Sequence, residues 1–350
     1  MFHSIPPPCN ASRDAALDRQ RRLTKPPGSL GRLERLAVDI AAWQATEQPA
    51  VRPAQLLIFA ADHPIATAGV SAYPQAVTAA MVENFIRGGA ASAVMARRLD
   101  VVLRVIDVGV IPGPAQPGQT RTVGTSLERS SVADACEGDI RTADGMEPAV
   151  FAAAVAAGRA AVDALPPDTR AVILGEMGIG NSTLAAAVTS GLCDLPPELT
   201  TGPGTGATGS CFDTKLDAVR RASARVVGCA PLEILRRAGG REMAAIVGAA
   251  ATALAQRMVV FADGFIATAA IATLIATEPA ARAGVIFAHV SGEPGHRHLL
   301  EWLHAKPLLT LEMALGEGTG GLAALPLVDL ACATHNSMAT FAEAAVPNRD

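Results

Sequence analysis

Three glycine-framed stretches carry the residue types on which chemistry can be built. The first, GEMGIGNST at 175–183, follows the apolar run AVIL and leads into a helical pattern. Its glycines at 175, 178 and 180 allow a sharp turn that turns backbone N–H groups toward a ligand, and the start of the next helix favours an anion. A phosphate suits that position. The same spacing also describes a tight β–α turn capped by Asn181 or Ser182, but such a turn has no need of the carboxylate of Glu176. The second stretch, TGPGTGATGS at 201–210, enters a helical segment containing Lys215. Backbone amides and that ammonium can complete a phosphate cage; the alternative is a flexible connection with a surface lysine. The third, LGEGTGG at 315–321, holds Glu317 between two glycines. A carboxylate so placed can approach a flat heterocycle closely and act on it as a general base, or else is a solvated turn glutamate.

Two further clusters, Ala61-Asp62-His63-Pro64 and SGEPGHRH at 291–298, follow apolar β-branched runs. Strand ends of this kind supply site residues in parallel-sheet proteins, and equally often only caps and loop anchors. His296 and His298 form an H-x-H pair with no convincing third ligand, so no metal site is expected. GTGATG and GEGTGG both spell G-x-G-x-x-G. Neither has both a buried strand directly before it and an acidic residue ~20 positions on, so a nicotinamide-dependent oxidoreductase is disfavoured. A non-catalytic mononucleotide-binding protein would use the same loops, and only the two carboxylates on separate loops, Glu176 and Glu317, argue for catalysis.

The elements that position these residues show in the alternation of short apolar runs with longer alanine-rich segments, the pattern of βαβ units around a parallel sheet. Strands are expected at 56–61, 101–108, 171–174, 258–262 and 284–289. Helices are expected at 75–98, 147–165, 181–191, 213–228, 241–256, 264–277 and 294–304. Residues 12–47 read as two helices broken by Lys25-Pro26-Pro27-Gly28-Ser29, and 320–345 as one or two more; the two ends are suited to pack together as a smaller helical unit. Residues 111–131, rich in Pro, Gly and polar side chains, read as a long loop.

Composition sets the outer limits. The 350 residues are 50% apolar and 3% aromatic, which implies a large, helix-rich core of small side chains and no stacking platform for nucleic acid. A formal charge of −4 without long Lys or Arg runs gives no footprint for a polyanion. The six cysteines are scattered, with no C-x-x-C, and read as buried small hydrophobes in a reducing compartment. The N-terminal stretch lacks the apolar core of a secretory signal, and the most apolar later run, 265–276, is far short of a bilayer span; a cytoplasmic protein is expected.

Taken in order, KPPGSLGRLE at 25–34, ADHP at 61–64, VSAYPQAVTAAMVENFIRGGAA at 70–91, GEMGIGNST, GPGTG at 202–206, ADGFIATAA at 262–270, EPGH at 293–296 and LGEGTGG resemble the nicotinate-nucleotide–dimethylbenzimidazole phosphoribosyltransferases over nearly the whole chain. The resemblance implies an α/β fold, a Rossmann-like three-layer parallel sheet with a smaller helical domain built from the N- and C-terminal segments. It divides the chain into 1–50, N-terminal helices of the small domain; 51–310, the sheet core with the nucleotide site; and 311–350, the catalytic loop and C-terminal helices. It implies a homodimer without metal or redox cofactor, acting on nicotinate mononucleotide and a benzimidazole-type base.

By the same resemblance Glu317 is the catalytic base and Glu176 the second important carboxylate. Phosphate and ribose contacts fall to Gly178, Gly180, Asn181, Gly204, Thr205, Gly206 and Lys215, and the acceptor base is placed near Ser71, Tyr73, Pro74, Gln75 and Leu315. The family usually has Gly after the Asp-His pair, where this chain has Pro64, and Ser-His where this chain has Ala288-His289. These departures bear on which base is accepted, and a related chain of the same fold could use adenine or a phenolic acceptor.

Overall fold

The computed structural model describes residues 3–111 and 124–347. Six strands, β1 (Ala54–Ala61), β2 (Val102–Gly109), β3 (Thr125–Arg129), β4 (Ala171–Met177), β5 (Val259–Ala262) and β6 (Val285–Phe287), form one sheet in the order β3-β2-β1-β4-β5-β6. Every pairing is parallel. Strand order therefore reverses between β1 and β4, and the crevice beyond their carboxyl ends is where such a sheet takes its ligands. All eight residues of β1 are buried, because helices cover both faces; that is why its sequence is a continuous apolar run rather than an alternation.

The alanine bias has a packing cause. Helices Pro148–Asp163 and Arg241–Ala255 approach so closely that a Cβ added at Gly158 would collide with the Ala245 carbonyl oxygen, and one at Gly248 with that of Val155. Backbones at this separation tolerate only hydrogen or methyl side chains between them.

Most expected elements are present, with three differences. Residues 75–98 form two helices, Val77–Arg87 and Ala91–Arg98, because Gly88 enters the left-handed region and ends the first. Within 111–131, residues 125–129 are the edge strand β3, whose half-exposed TSLER carries no apolar run to reveal it, while 112–123 lie outside the described residues. The helix Pro231–Ala238 was hidden by its brevity. The cysteines are all free, but only Cys332 is buried; Cys136 is exposed and the others are half-buried.

The terminal segments meet. Arg19 donates to the carbonyls of His335 at 2.6 Å and Asn336 at 2.8 Å, Gln20 Nε2 lies 2.9 Å from His335 Nδ1, and Leu23 bridges Thr340. The KPPGSLGRLE turn is tied by Glu34, which accepts from Gly28 N and Leu30 N and pairs with the buried Lys25 ammonium at 2.9 Å. No helix among the described residues is long and apolar enough to cross a membrane.

Candidate active site

The carboxyl ends of β4, β5 and β6 and the segment 314–316 converge on one cleft, whose lining includes Glu176, Gly178, Ser182, Thr205, His289 and Gly316. Glu317 sits beside it on an unusual turn. Gly316, Glu317 and Gly318 have φ of 88°, 61° and 79°, three successive left-handed residues immediately before the helix Thr319–Ser337. For Glu317 this conformation carries a steric cost that its surroundings must offset. They do so through Asp263 at the end of β5: its Oδ2 accepts from Gly318 N at 3.1 Å and its Oδ1 from Gly321 N at 3.0 Å. Behind the turn stands Gly175 of β4, where an added Cβ would lie 2.6 Å from Gly318 N and 2.7 Å from the Glu317 carbonyl carbon.

The Glu317 carboxylate is buried and Oε2 accepts from Ser92 Oγ at 3.2 Å. Burial raises its pKa above the ordinary value, the Ser92 hydrogen bond opposes this, and the charge of Asp263 adds to it. A carboxylate made more basic in this way is a better proton acceptor. Glu176 is its neighbour through Gly316, whose Cα faces Glu176 Oε1 so closely that no Cβ fits between them. Burial, reinforced by the charges of Asp263, Glu242 and Glu317, pushes Glu176 up to about 8 against the opposing hydrogen bond from Asn181. Near neutrality Glu176 therefore holds a proton, while its Oε2 accepts from Asn181 Nδ2.

Asn181 lines the cleft and its side-chain amide donates to Glu176; the N-cap position of its helix is Gly180, with no side-chain cap from Asn181 or Ser182. Gly178, Gly204 and Thr205 do line the cleft, whereas Gly180 and Gly206, at φ 97° and 99°, shape the turns from outside it. Lys215 is not a surface lysine. It is buried beneath the Gly204 turn and donates to Ser182 Oγ at 3.0 Å, with its pKa lowered by burial and partly restored by Glu293. Gly204 N donates to Glu293 Oε1 at 2.9 Å. At this end of the cleft the Ser182 hydroxyl and the helix start lie beside the Glu293 carboxylate, with the Lys215 ammonium behind Ser182.

At the expected base end, Ser71 Oγ lies 3.2 Å from Thr205 Oγ1, which joins its loop to the second glycine stretch. Leu315 lines the cleft at 56% exposure, while Tyr73 at 52% and Pro74 project outward. Gln75 lies close enough to stabilise the buried Asp62 carboxylate.

Sequence reading missed Ser92, Asp263 and the partners of His63. Asp263 stands directly after the VVFA strand, and that strand-end position was the available signal; Ser92, inside an alanine-rich helix, offered none. His63 is buried between Glu137 Oε2, 2.9 Å from Nδ1, and Glu242 Oε2, 3.3 Å from Nε2, and both charges raise its pKa to about 10 despite burial. His63, Glu137 and Glu242 are also the group of ligand-type atoms among the described residues that is compact enough for a metal ion. The two ring nitrogens address different carboxylates, which is the geometry of an imidazolium held between anions, and Arg241 supplies a second cation to Glu137 at 3.0 Å. His296 accepts from Ser291 N and faces Thr268 Oγ1, and burial lowers its pKa to about 3. His298 pairs with Glu301 instead, so the H-x-H pair does not converge.

A parallel sheet with glycine turns and two buried carboxylates at its switch point describes a class of group-transfer enzyme, and the sequence profile of a phosphoribosyltransferase family matches residues 5–346. A nicotinate-nucleotide–dimethylbenzimidazole phosphoribosyltransferase from Xanthomonas oryzae pv. oryzae is 46% identical over 99% of this chain and 98% of its own length. One of the same name from Pseudomonas aeruginosa is 45% identical over 96% and 95%. The Thermus thermophilus structure of that name superposes with a TM-score of 0.87 at 38% identity, covering 97% of this chain and all of its own. The chain belongs to the nicotinate-nucleotide–dimethylbenzimidazole phosphoribosyltransferase family.

Proposed function

We propose that the chain moves the 5-phosphoribosyl group from nicotinate mononucleotide to 5,6-dimethylbenzimidazole, giving α-ribazole 5′-phosphate and nicotinate for assembly of the cobalamin lower loop. The observation that carries this reading is the buried, glycine-framed Glu317 beside Glu176 at the carboxyl end of β4, in a chain of this family. One ring nitrogen of the base attacks C1′ as the C1′–nicotinate bond breaks with its electron pair on the leaving ring, and the linkage inverts from β to α. Attack would leave the benzimidazole cationic, so the proton on its other nitrogen passes to the Glu317 carboxylate. Glu176, protonated near neutrality, binds ribose hydroxyls. The loops bearing Gly178, Gly204 and Thr205, with Lys215 behind them, hold the phosphate away from the reacting bond and align the reactants.

We place the reaction in the cytoplasm, in a homodimer whose protomers each combine a sheet core with a helical unit made of both termini. Pro64 and Ala288 stand where the family usually has other residues, so an acceptor panel belongs in the test. Purified protein with nicotinate mononucleotide and a series of benzimidazole, purine and phenolic bases, analysed by mass spectrometry, should yield the dimethylbenzimidazole product. Glu317→Gln should retain nucleotide binding and lose about 10²–10⁴ in turnover. Undiminished turnover would remove Glu317 from the role of base, and a preference for another acceptor would redirect the substrate assignment.

A further inference from the structure

At the opposite end of the sheet, where β5 and β6 begin, a cavity of about 730 Å³ opens between the helix Arg32–Gln44 and the turn Pro279–Gly284. Its lining includes five cations, Arg13, Arg32, Arg35, Arg282 and Lys306, and one carboxylate, Asp39. Asp39 is already engaged by Arg13 at 2.8 Å, and the Arg32 guanidinium donates to the carbonyls of Lys306 and Pro307. Arg35, Arg282 and Lys306 have no hydrogen-bond or ion-pair partner for their side chains among the described residues. Arg282 is half-buried, 4.8 Å over the Phe287 ring, and faces the cavity.

Cations lining one cavity repel one another, and partial burial of Arg32 and Arg282 weakens the screening that water gives those two. The effect registers on the groups themselves: burial lowers the pKa of Arg282, with Asp39 opposing, and burial together with Arg35 lowers that of Arg32. Retaining such an arrangement is favourable when an anion completes it. Guanidinium forks match phosphate geometry in a bidentate way, and three unpaired cations suit a dianion better than a single carboxylate. Ile40, Trp43 and Phe287, all nearly fully buried, close the floor of the cavity, and the volume falls within the range of small-molecule sites.

We infer that this cavity is a second ligand site, separate from the catalytic cleft, for a phosphomonoester of mononucleotide size. The phosphate lies among Arg35, Arg282 and Lys306, and the rest of the mononucleotide occupies the remaining volume of the cavity. The inference does not depend on the reaction at the other end of the sheet.

Equilibrium dialysis with adenosine 5′-monophosphate, and in parallel with inorganic phosphate, tests it on the full chain. Arg35 and Lys306 are exposed, so the Arg35→Glu/Lys306→Glu variant should fold normally; Arg282→Ala is a second, independent variant, with thermal melting as the check on each. The nucleotide should bind the parent and a Lys215→Ala variant alike, more tightly than inorganic phosphate and less tightly as salt is raised. Its Kd should rise by about tenfold or more in both cavity variants while transfer from nicotinate mononucleotide is unchanged. The inference is overturned by an absence of binding to the parent, by isotherms insensitive to the cavity substitutions, or by loss of binding in Lys215→Ala. Equal affinity for inorganic phosphate would overturn the assignment to a mononucleotide.

Discussion

Gly175 offers a measure of how tightly the Glu317 turn must be held. An alanine Cβ there would stand 2.6 Å from Gly318 N, 2.7 Å from the Glu317 carbonyl carbon and 3.0 Å from Gly318 Cα, whereas ordinary contact begins near 3.4 Å. All three atoms are backbone, so no side chain can rotate away, and the turn must retreat by about 0.8 Å from the strand. The φ of Gly175 is not in the left-handed region, and β4 keeps its pairing with β1, so the strand itself accepts alanine. The retreat strains the hydrogen bonds from Asp263 and carries Glu317 away from its position beside Ser92. Misplacement by about 1 Å can cost on the order of 10²-fold in rate. Gly175→Ala should therefore lower kcat about a hundredfold while the Kd for nicotinate mononucleotide, measured by calorimetry, changes little, since the phosphate end lies on other loops. Turnover within threefold of the parent, in a variant with unaltered circular dichroism and melting, would refute the claim that Glu317 acts from one precise position.

Asp263→Asn weakens the charge-assisted bonds to Gly318 N and Gly321 N, each worth about 1.5–3 kcal/mol; turnover should fall with little change in nucleotide binding, and a variant with full kcat would dismiss Asp263 as a positioning residue. Glu176 titrates at about 8 when folded against a usual 4.5, so its contribution to stability is present below 4.5 and is lost as pH rises toward 8. Glu176→Gln should accordingly gain stability over the parent between pH 5 and 9 in urea unfolding; equal slopes would contradict the burial argument. Replacing His63 by Leu leaves Glu137 and Glu242 without their shared cation and should cost about 3–5 kcal/mol near neutrality. His63 is raised from 6.5 to about 10, so its stabilisation is complete below 6.5 and disappears as pH rises through 10; the deficit of the variant should shrink over that upper range, as unfolding at pH 7 and 10.5 would reveal.

Much of the architecture could be read from local pattern. The runs at β1 and β4 are apolar throughout because both faces of the sheet are covered, and helices such as Asn181–Cys193 begin within a residue or two of their expected starts. The edge strand β3 escaped because half-exposed edge residues carry no burial signal, and residues 75–98 were overextended because their helical period continues across the Gly88-Gly89 break. In the site, Glu317 and Glu176 were legible from their glycine frames. Asn181 lines the cleft as its place in the first glycine stretch suggested, but its hydrogen bond to Glu176 is set by the folded geometry and is not visible in local spacing.

What the chain order determined by itself were features set by near neighbours: strand and helix periods, the three glycine turns, and the identity of the two carboxylates within them. Only the tertiary structure decided which groups share a desolvated space. It brought Asp263, Glu242 and Glu317 close enough to raise Glu176, set Ser92 against Glu317, and buried Lys215 beneath Gly204. It also assembled Arg13, Arg32, Arg35, Arg282 and Lys306 into one basic cavity in a chain whose net charge is −4 and which has no basic run. Periodicity and backbone freedom are local properties, whereas burial and electrostatic coupling depend on distance in space, and residues far apart in sequence become neighbours only when the sheet closes its order around β1 and β4.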